Sequence, residues 1–235
     1  MEVHPLPPLT HPDLNDWVVH FAGRDGQSTA APEIQALSPR QRFVQIISES
    51  RLLGFEMFGA GGARAVCFTE STKEGCQWLV REGRYPPYGI VFSKQTVFAR
   101  GGGPALYVRG DDWPHTWQWA PEMRARAVRL WPGATPDEGE PPLGGHLASQ
   151  SWWLMEREWR ALPNTPDHCW TFTWSDIAFL IVPDHGVIDD IAHEFLNDPH
   201  YRQYLDALPV MIMNDLGQIV TGDGTLVDPP PPRGS

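Results

Sequence analysis

Two glutamates stand two residues apart in Trp152-Trp-Leu-Met-Glu-Arg-Glu-Trp-Arg160, and paired carboxylates are the groups that acid–base and glycosyl-transfer chemistry need. Read as a strand, the stretch alternates its faces. Glu156, Glu158 and Arg160 then share one side with Trp152 and Leu154, while Trp153, Met155, Arg157 and Trp159 take the opposite side. Positions two apart on one strand face lie roughly 7 Å from each other at Cα, close enough to address one bound molecule and too far to share a proton. One carboxylate would stabilise a developing cation while its neighbour steers a nucleophile. The competing reading is a solvated edge, or acids neutralised by a cross-strand arginine.

The elements that must position these acids are legible in outline. Trp17–Phe21 and Ala65–Thr69 read as strands, as do Tyr88–Phe92, Ala105–Val108, Cys169–Trp174 and Ala178–Val182. Ser38 followed by Pro39, with apolar Phe43, Ile46 and Ile47, predicts a helix with a serine N-cap. Thr72–Glu82, with Leu79 and Val80 inward, predicts another, stopped by Pro86 and Pro87. A short helical piece and a Gly101-Gly-Gly103 turn would lead into Ala105. Glu122–Leu130 and Ile188–Leu196 also carry helical spacing, and Pro209–Val220 reads as a hairpin-like pair around Asn214–Gly217. Residues 1–16, rich in proline, are expected to form an irregular arm, 17–228 a single α+β domain and 229–235 a disordered tail. Pro132–Gly145 is a long Pro/Gly/Glu-rich loop. Mixed strands and helices followed mostly by strands speak for α+β and against a doubly wound sheet.

Composition narrows the chemistry. The chain has 235 residues with 41% hydrophobic content, enough for a real core. Asp and Glu outnumber Lys and Arg by 29 to 18, giving a formal charge of -11. That balance argues against non-specific nucleic-acid binding, which clustered Lys and Arg carry, and leaves room only for a local basic groove. Three cysteines, none in a Cys-x-x-Cys pair, give neither a disulfide framework nor a zinc clip, so no metal is expected. The N-terminus has no basic region followed by an apolar run, and no segment reaches ~18 continuous apolar residues, so a cytoplasmic protein without a membrane partner is expected. Glycine runs miss the P-loop and Rossmann patterns, His193-Glu194 lacks the second histidine of H-E-x-x-H, and no G-x-S-x-G occurs. A metal-dependent nuclease would need a metal-binding acidic cluster that these residues do not assemble. Trp113, Trp117, Trp119 and Trp131 gather in a loop-rich region, where they would line a cleft or form a partner surface.

Several separated pieces together resemble the AbiGi-type abortive phage-resistance proteins and related bacterial proteins. They are Val19-His-Phe21, Ala65-Val-Cys-Phe-Thr-Glu70, Tyr85-Pro-Pro-Tyr-Gly-Ile-Val-Phe-Ser-Lys94, Pro104-Ala-Leu-Tyr-Val108 and Glu156-Arg-Glu-Trp-Arg160, within residues 17 to about 183. This group looks similar to the ADP-ribosyltransferase fold, with central antiparallel or mixed sheets and peripheral helices. The resemblance implies a bacterial antiphage or toxin–antitoxin protein using NAD as substrate, as an ADP-ribosyltransferase or NAD glycohydrolase. It maps His20 onto the first-strand position, Thr69 or Ser71 onto the second and Glu158 onto the catalytic acid, with Glu156 as the first acid of Glu-x-Glu. Cys-Phe-Thr-Glu-Ser stands where the usual Ser-Thr-Ser run would be.

On that reading Glu158 stabilises an oxocarbenium-like ribose, and Glu156 orients an acceptor. His20 and Phe21 hold nicotinamide or ribose, while Tyr88 and Phe92 stack and Lys94 meets pyrophosphate, with Arg81 and Arg84 nearby. The bland alternatives are a core histidine satisfied by a backbone carbonyl, core-packing rings and solvated cations. The resemblance implies an unidentified macromolecular target and a cognate toxin or antitoxin as partner. It equally admits a non-catalytic antitoxin-like or sensor module on the same fold.

Overall fold

The computed structural model describes residues 15–23, 32–57, 61–130, 156–194, 199–220 and 226–228. The expectations for the N-terminal arm before Asn15, for the loop Pro132–Gly145, for Trp131, for Trp152–Met155 and for the C-terminal tail lie outside them. The strands are β1 Trp17–Phe21, β2 Arg51–Leu53, β3 Phe55–Glu56, β4 Arg64–Thr69, β5 Gly89–Ser93, β6 Gly102–Pro104, β7 Leu106–Arg109, β8 Ala127–Leu130, β9 Glu158–Ala161, β10 Cys169–Thr171, β11 Ile177–Val182, β12 Val210–Met213, β13 Ile219–Val220 and β14 Leu226–Asp228. The helices are α1 Pro32–Gln35, α2 Pro39–Glu49, α3 Lys73–Arg81, α4 Lys94–Ala99, α5 Pro121–Ala125, α6 Gly186–Glu194 and α7 Pro199–Ala207. Two 3₁₀ helices cover Gly110–Gln118 and Trp174–Asp176.

This is a mixed α+β fold. One sheet runs in the order β14-β13-β12-β11-β5-β1-β4-β9-β6, with β3 beside β4. Most neighbours are antiparallel, whereas β11 and β12 are parallel and are connected through α6 and α7, the long crossover that parallel strands require. Two small sheets, β10 with β2 and β7 with β8, stand apart from it.

The central strands are apolar on both faces because helices cover both. One face carries Val18, Phe68, Ile90, Phe92 and Leu180 against Phe43 and Ile47 of α2 and Val187 and Ile191 of α6. Edge-to-face rings of Phe68, Phe92, Trp170 and Phe172, with centroids 5.2 to 5.9 Å apart, fill its middle, a geometry that adds to their burial. The opposite face carries Val19, Phe21, Val91 and Ile181 against Cys76 and Val80 of α3.

Local signals account for most elements. Ser38 caps α2 reciprocally with Gln41, Pro39 opens it, and Thr72 caps α3. Three expectations change. Glu122–Leu130 is not one helix: α5 ends at Ala125 and Ala127–Leu130 pairs in parallel with β7, a tertiary pairing that overrides helical spacing. Gly102 and Gly103, expected in the Gly101–Gly103 turn, form with Pro104 an edge strand on β9. In the described part of the stretch expected as a strand, β9 starts at Glu158, and Glu156 and Arg157 lie outside it, Arg157 with φ 42°, a left-handed conformation that interrupts pleating.

Candidate functional site

Strand register decides which candidate residues meet. Val19 lies opposite Thr69, and Thr69 lies opposite Glu158, so these three point to one face. His20 lies opposite Ile90 and points to the other face, where its ring meets Phe68 edge-on at 5.9 Å. His20 and Glu158 are therefore separated by the sheet itself. Phe92 is fully buried beside Trp170 on the histidine's face, and Tyr88 packs against Phe43 of α2.

Glu158, Glu156, Thr69, Ser71 and Phe21 do come together on the α3 side. Glu158 is 7% exposed and Glu156 6%, and each has its charge met from within the fold. Arg160 on the same strand donates Nε to Glu158 Oε1 at 2.8 Å and Nη2 to Oε2 at 3.3 Å, the bidentate match of a guanidinium to a carboxylate. Arg160 Nη1 also donates to the carbonyls of Ala125 and Ala127, tying β9 to the α5–β8 corner. The backbone N–H of Glu158 donates to the Tyr107 hydroxyl at 3.1 Å.

Glu156 stands just before the strand, where the turn at Arg157 keeps its carboxylate on the side of Glu158. It accepts from Arg84 Nε at 2.8 Å and from the Tyr85 hydroxyl at 2.8 Å, and Tyr85 stacks on Phe21 with ring centroids 4.9 Å apart. Thr69 donates Oγ1 to the Glu156 carbonyl at 2.6 Å and shares a 2.9 Å hydroxyl contact with Ser71. Burial, then the charges of the two glutamates, push the Cys67 thiol well above its usual range. Burial and the Glu156 charge do the same to the Tyr85 hydroxyl. Both groups hold their protons at neutral pH, so neither is an activated nucleophile.

A second ion cluster adjoins the first. Glu70 accepts from Lys94 Nζ at 2.7 Å and from Trp159 Nε1 at 2.7 Å, with Arg157 3.8 Å away. Lys94 thus faces a carboxylate. Arg81 lies 3.4 Å from Glu82. His20 Nδ1 lies 2.9 Å from the Cys67 carbonyl, and burial lowers its pKa despite that contact.

Sequence reasoning placed Glu158 with Arg160 on one face, and the two are joined there. It missed Tyr85, Tyr107, Cys67, Glu70 and Trp159, since each meets its polar partner only through the tertiary fold. Arg84 was visible as a cation beside the Tyr85-Pro-Pro stretch, but its partner 72 positions away was not. A groove between α2 and α6, lined by Arg40, Val44, Glu49, Asp190, His193 and Glu194, borders none of the candidate residues. Among the described residues no three His, Cys, Asp or Glu side chains gather as a metal site, and no helix is long and apolar enough to cross a membrane. Comparison of the chain with protein-family models, with curated proteins and with solved structures returns no match.

Proposed function

We propose that the chain is a non-catalytic binding module, the antitoxin-like or sensor member of a bacterial antiphage or toxin–antitoxin pair acting in the cytoplasm, with a cognate protein as its ligand. The observation that carries this reading is the closed state of Glu158. It is buried, held bidentately by Arg160, and lies across the sheet from His20. A carboxylate that stabilises a ribosyl cation must open onto the reacting bond, whereas here the charge already has its counterion. The defence role itself rests on the sequence resemblance.

One observation favours a second reading. Glu156, Glu158, Thr69, Ser71 and Phe21 share one side of the sheet, as an NAD-cleaving ADP-ribosyltransferase-like fold would require of its acids and hydroxyls. NAD decides between the two. The module reading expects no thermal stabilisation by millimolar NAD and no nicotinamide release. Release that disappears in Glu158→Gln, in a variant that remains folded, would establish the transferase reading instead.

A further inference from the structure

Two helices end at one groove. It runs between α2 and α6, with Leu37, Val44 and Gln45 along one wall, and both last turns border it, through Ser48 and Glu49 of α2 and His193 and Glu194 of α6. Arg40 ties the earlier turns together, its Nε 2.5 Å from Asp190 and its Nη1 3.7 Å from Asp184. Each helix therefore closes on a glutamate. A helix carries about half a negative charge at its C-terminus, where cations are the favoured side chains, so Glu49 and Glu194 both add to a field of their own sign.

That charge is not cancelled from within. Arg40 is shared by two carboxylates, and Arg51, the counterion of Glu49, is shared with Asp167. No cation meets Glu194 among the described residues. From Asp184 to Glu194 the chain holds four acids and neither lysine nor arginine.

The wall between these acids is not itself charged. Leu37 and Val44 are half-buried and Gln45 is exposed, which gives an apolar floor beside neutral polar groups. Lysine and arginine lay their methylene stems on such a floor while their heads reach the carboxylates. From Leu37 to Ser48 the wall extends roughly 15 Å at the rise of a helix, room for about five residues of extended chain. The formal charge of -11 steers a basic partner toward the molecule and repels nucleic acid and anionic membranes.

We infer that the groove between α2 and α6 is the docking site for a short basic segment of the partner protein, in which lysine or arginine alternates with apolar residues. The inference rests on the binding-module reading and names its site and the chemistry of its ligand.

The probe is a fluorescein-labelled peptide of alternating lysine and leucine, followed by fluorescence anisotropy, with a glutamate–leucine peptide and spermine as comparisons. Saturable binding of the lysine–leucine peptide is expected, weakening with salt. Glu194→Lys and Gln45→Lys, on opposite walls, should each weaken it at least about fivefold. Both are surface positions, and a cation at the end of α6 suits the helix dipole, so thermal unfolding should not fall in Glu194→Lys. Asp112→Lys, an exposed position remote from the groove with the same change of net charge as Glu194→Lys, should stay within about twofold of wild type. Absence of peptide binding, equal weakening by Asp112→Lys and Glu194→Lys, or binding of the glutamate–leucine peptide or of spermine as tight as that of the lysine–leucine peptide would overturn the docking site. Nicotinamide release is measured on the same preparations. Release with peptide binding intact would overturn the module reading and leave the groove standing, and loss of the groove without release would do the reverse.

Discussion

Glu158 and Arg160 are worth more as a pair than either is alone. Both side chains are about nine-tenths buried, and removing one member of such a pair strands the other's charge at a cost of about 3 to 5 kcal/mol. Glu158→Gln should lose stability near the lower end of that range in urea unfolding, since the amide still accepts one bond and Arg160 keeps two carbonyls. No loss would mean that the carboxylate is not held as described. The Cys67 thiol is raised well above its usual range, and burial pushes Cys76 up to about 12. Cys76, only 3% exposed, should therefore be spared by maleimide at pH 7.5 in the native protein and labelled after unfolding. His20 has the opposite sense. Burial lowers its pKa below 6.5, so as pH falls below 6.5 the unfolded chain takes up a proton that the native chain refuses. Stability should fall with pH from 6.5 down to the lowered native value, and His20→Gln should flatten that part of the profile.

At the scale of elements, what could be read from sequence is what neighbours in the chain decide. Ser38 with Pro39 announces α2, and Thr72 announces α3, because caps satisfy donors within the same few residues. Ser38→Ala should cost α2 about 1 kcal/mol in thermal or chemical unfolding. β8 was illegible for the opposite reason. Its spacing suits a helix, and only β7, some twenty positions earlier, makes it a strand. Gly217 shows a local signal with a distant cause. Its φ of +70° closes the β12–β13 turn, and a Cβ there would clash with the Gln77 carbonyl oxygen of α3. Gly217→Ala combines left-handed strain of about 1 to 2 kcal/mol with a backbone clash, so it should destabilise by more than the strain alone. A loss of under about 1 kcal/mol would show that the turn does not press on α3.

The whole molecule is a sheet covered on both faces, and this arrangement is what the linear order of motifs conceals. Val19-His20-Phe21 looks like one motif, yet pleating sends His20 to the α2 side and its neighbours to the α3 side. The face that Glu158 shares with Arg160 could be foreseen from alternation, while its opposition to His20 required the register of β1 against β4 and β4 against β9. Double-mutant cycles test this partition. Glu158→Gln combined with Arg160→Met should show a coupling of at least about 1 kcal/mol, because the two share a bidentate bond. His20→Gln combined with Glu158→Gln should be additive within about 0.5 kcal/mol, as for groups without a common contact. Cys67 is the strictest point of the test, since its carbonyl meets His20 and its thiol senses Glu158. Coupling above about 1 kcal/mol between His20 and Glu158 would mean that the strand between them transmits strain from one face to the other. Additivity would leave the two faces energetically separate, with the acids belonging to the α3 side alone.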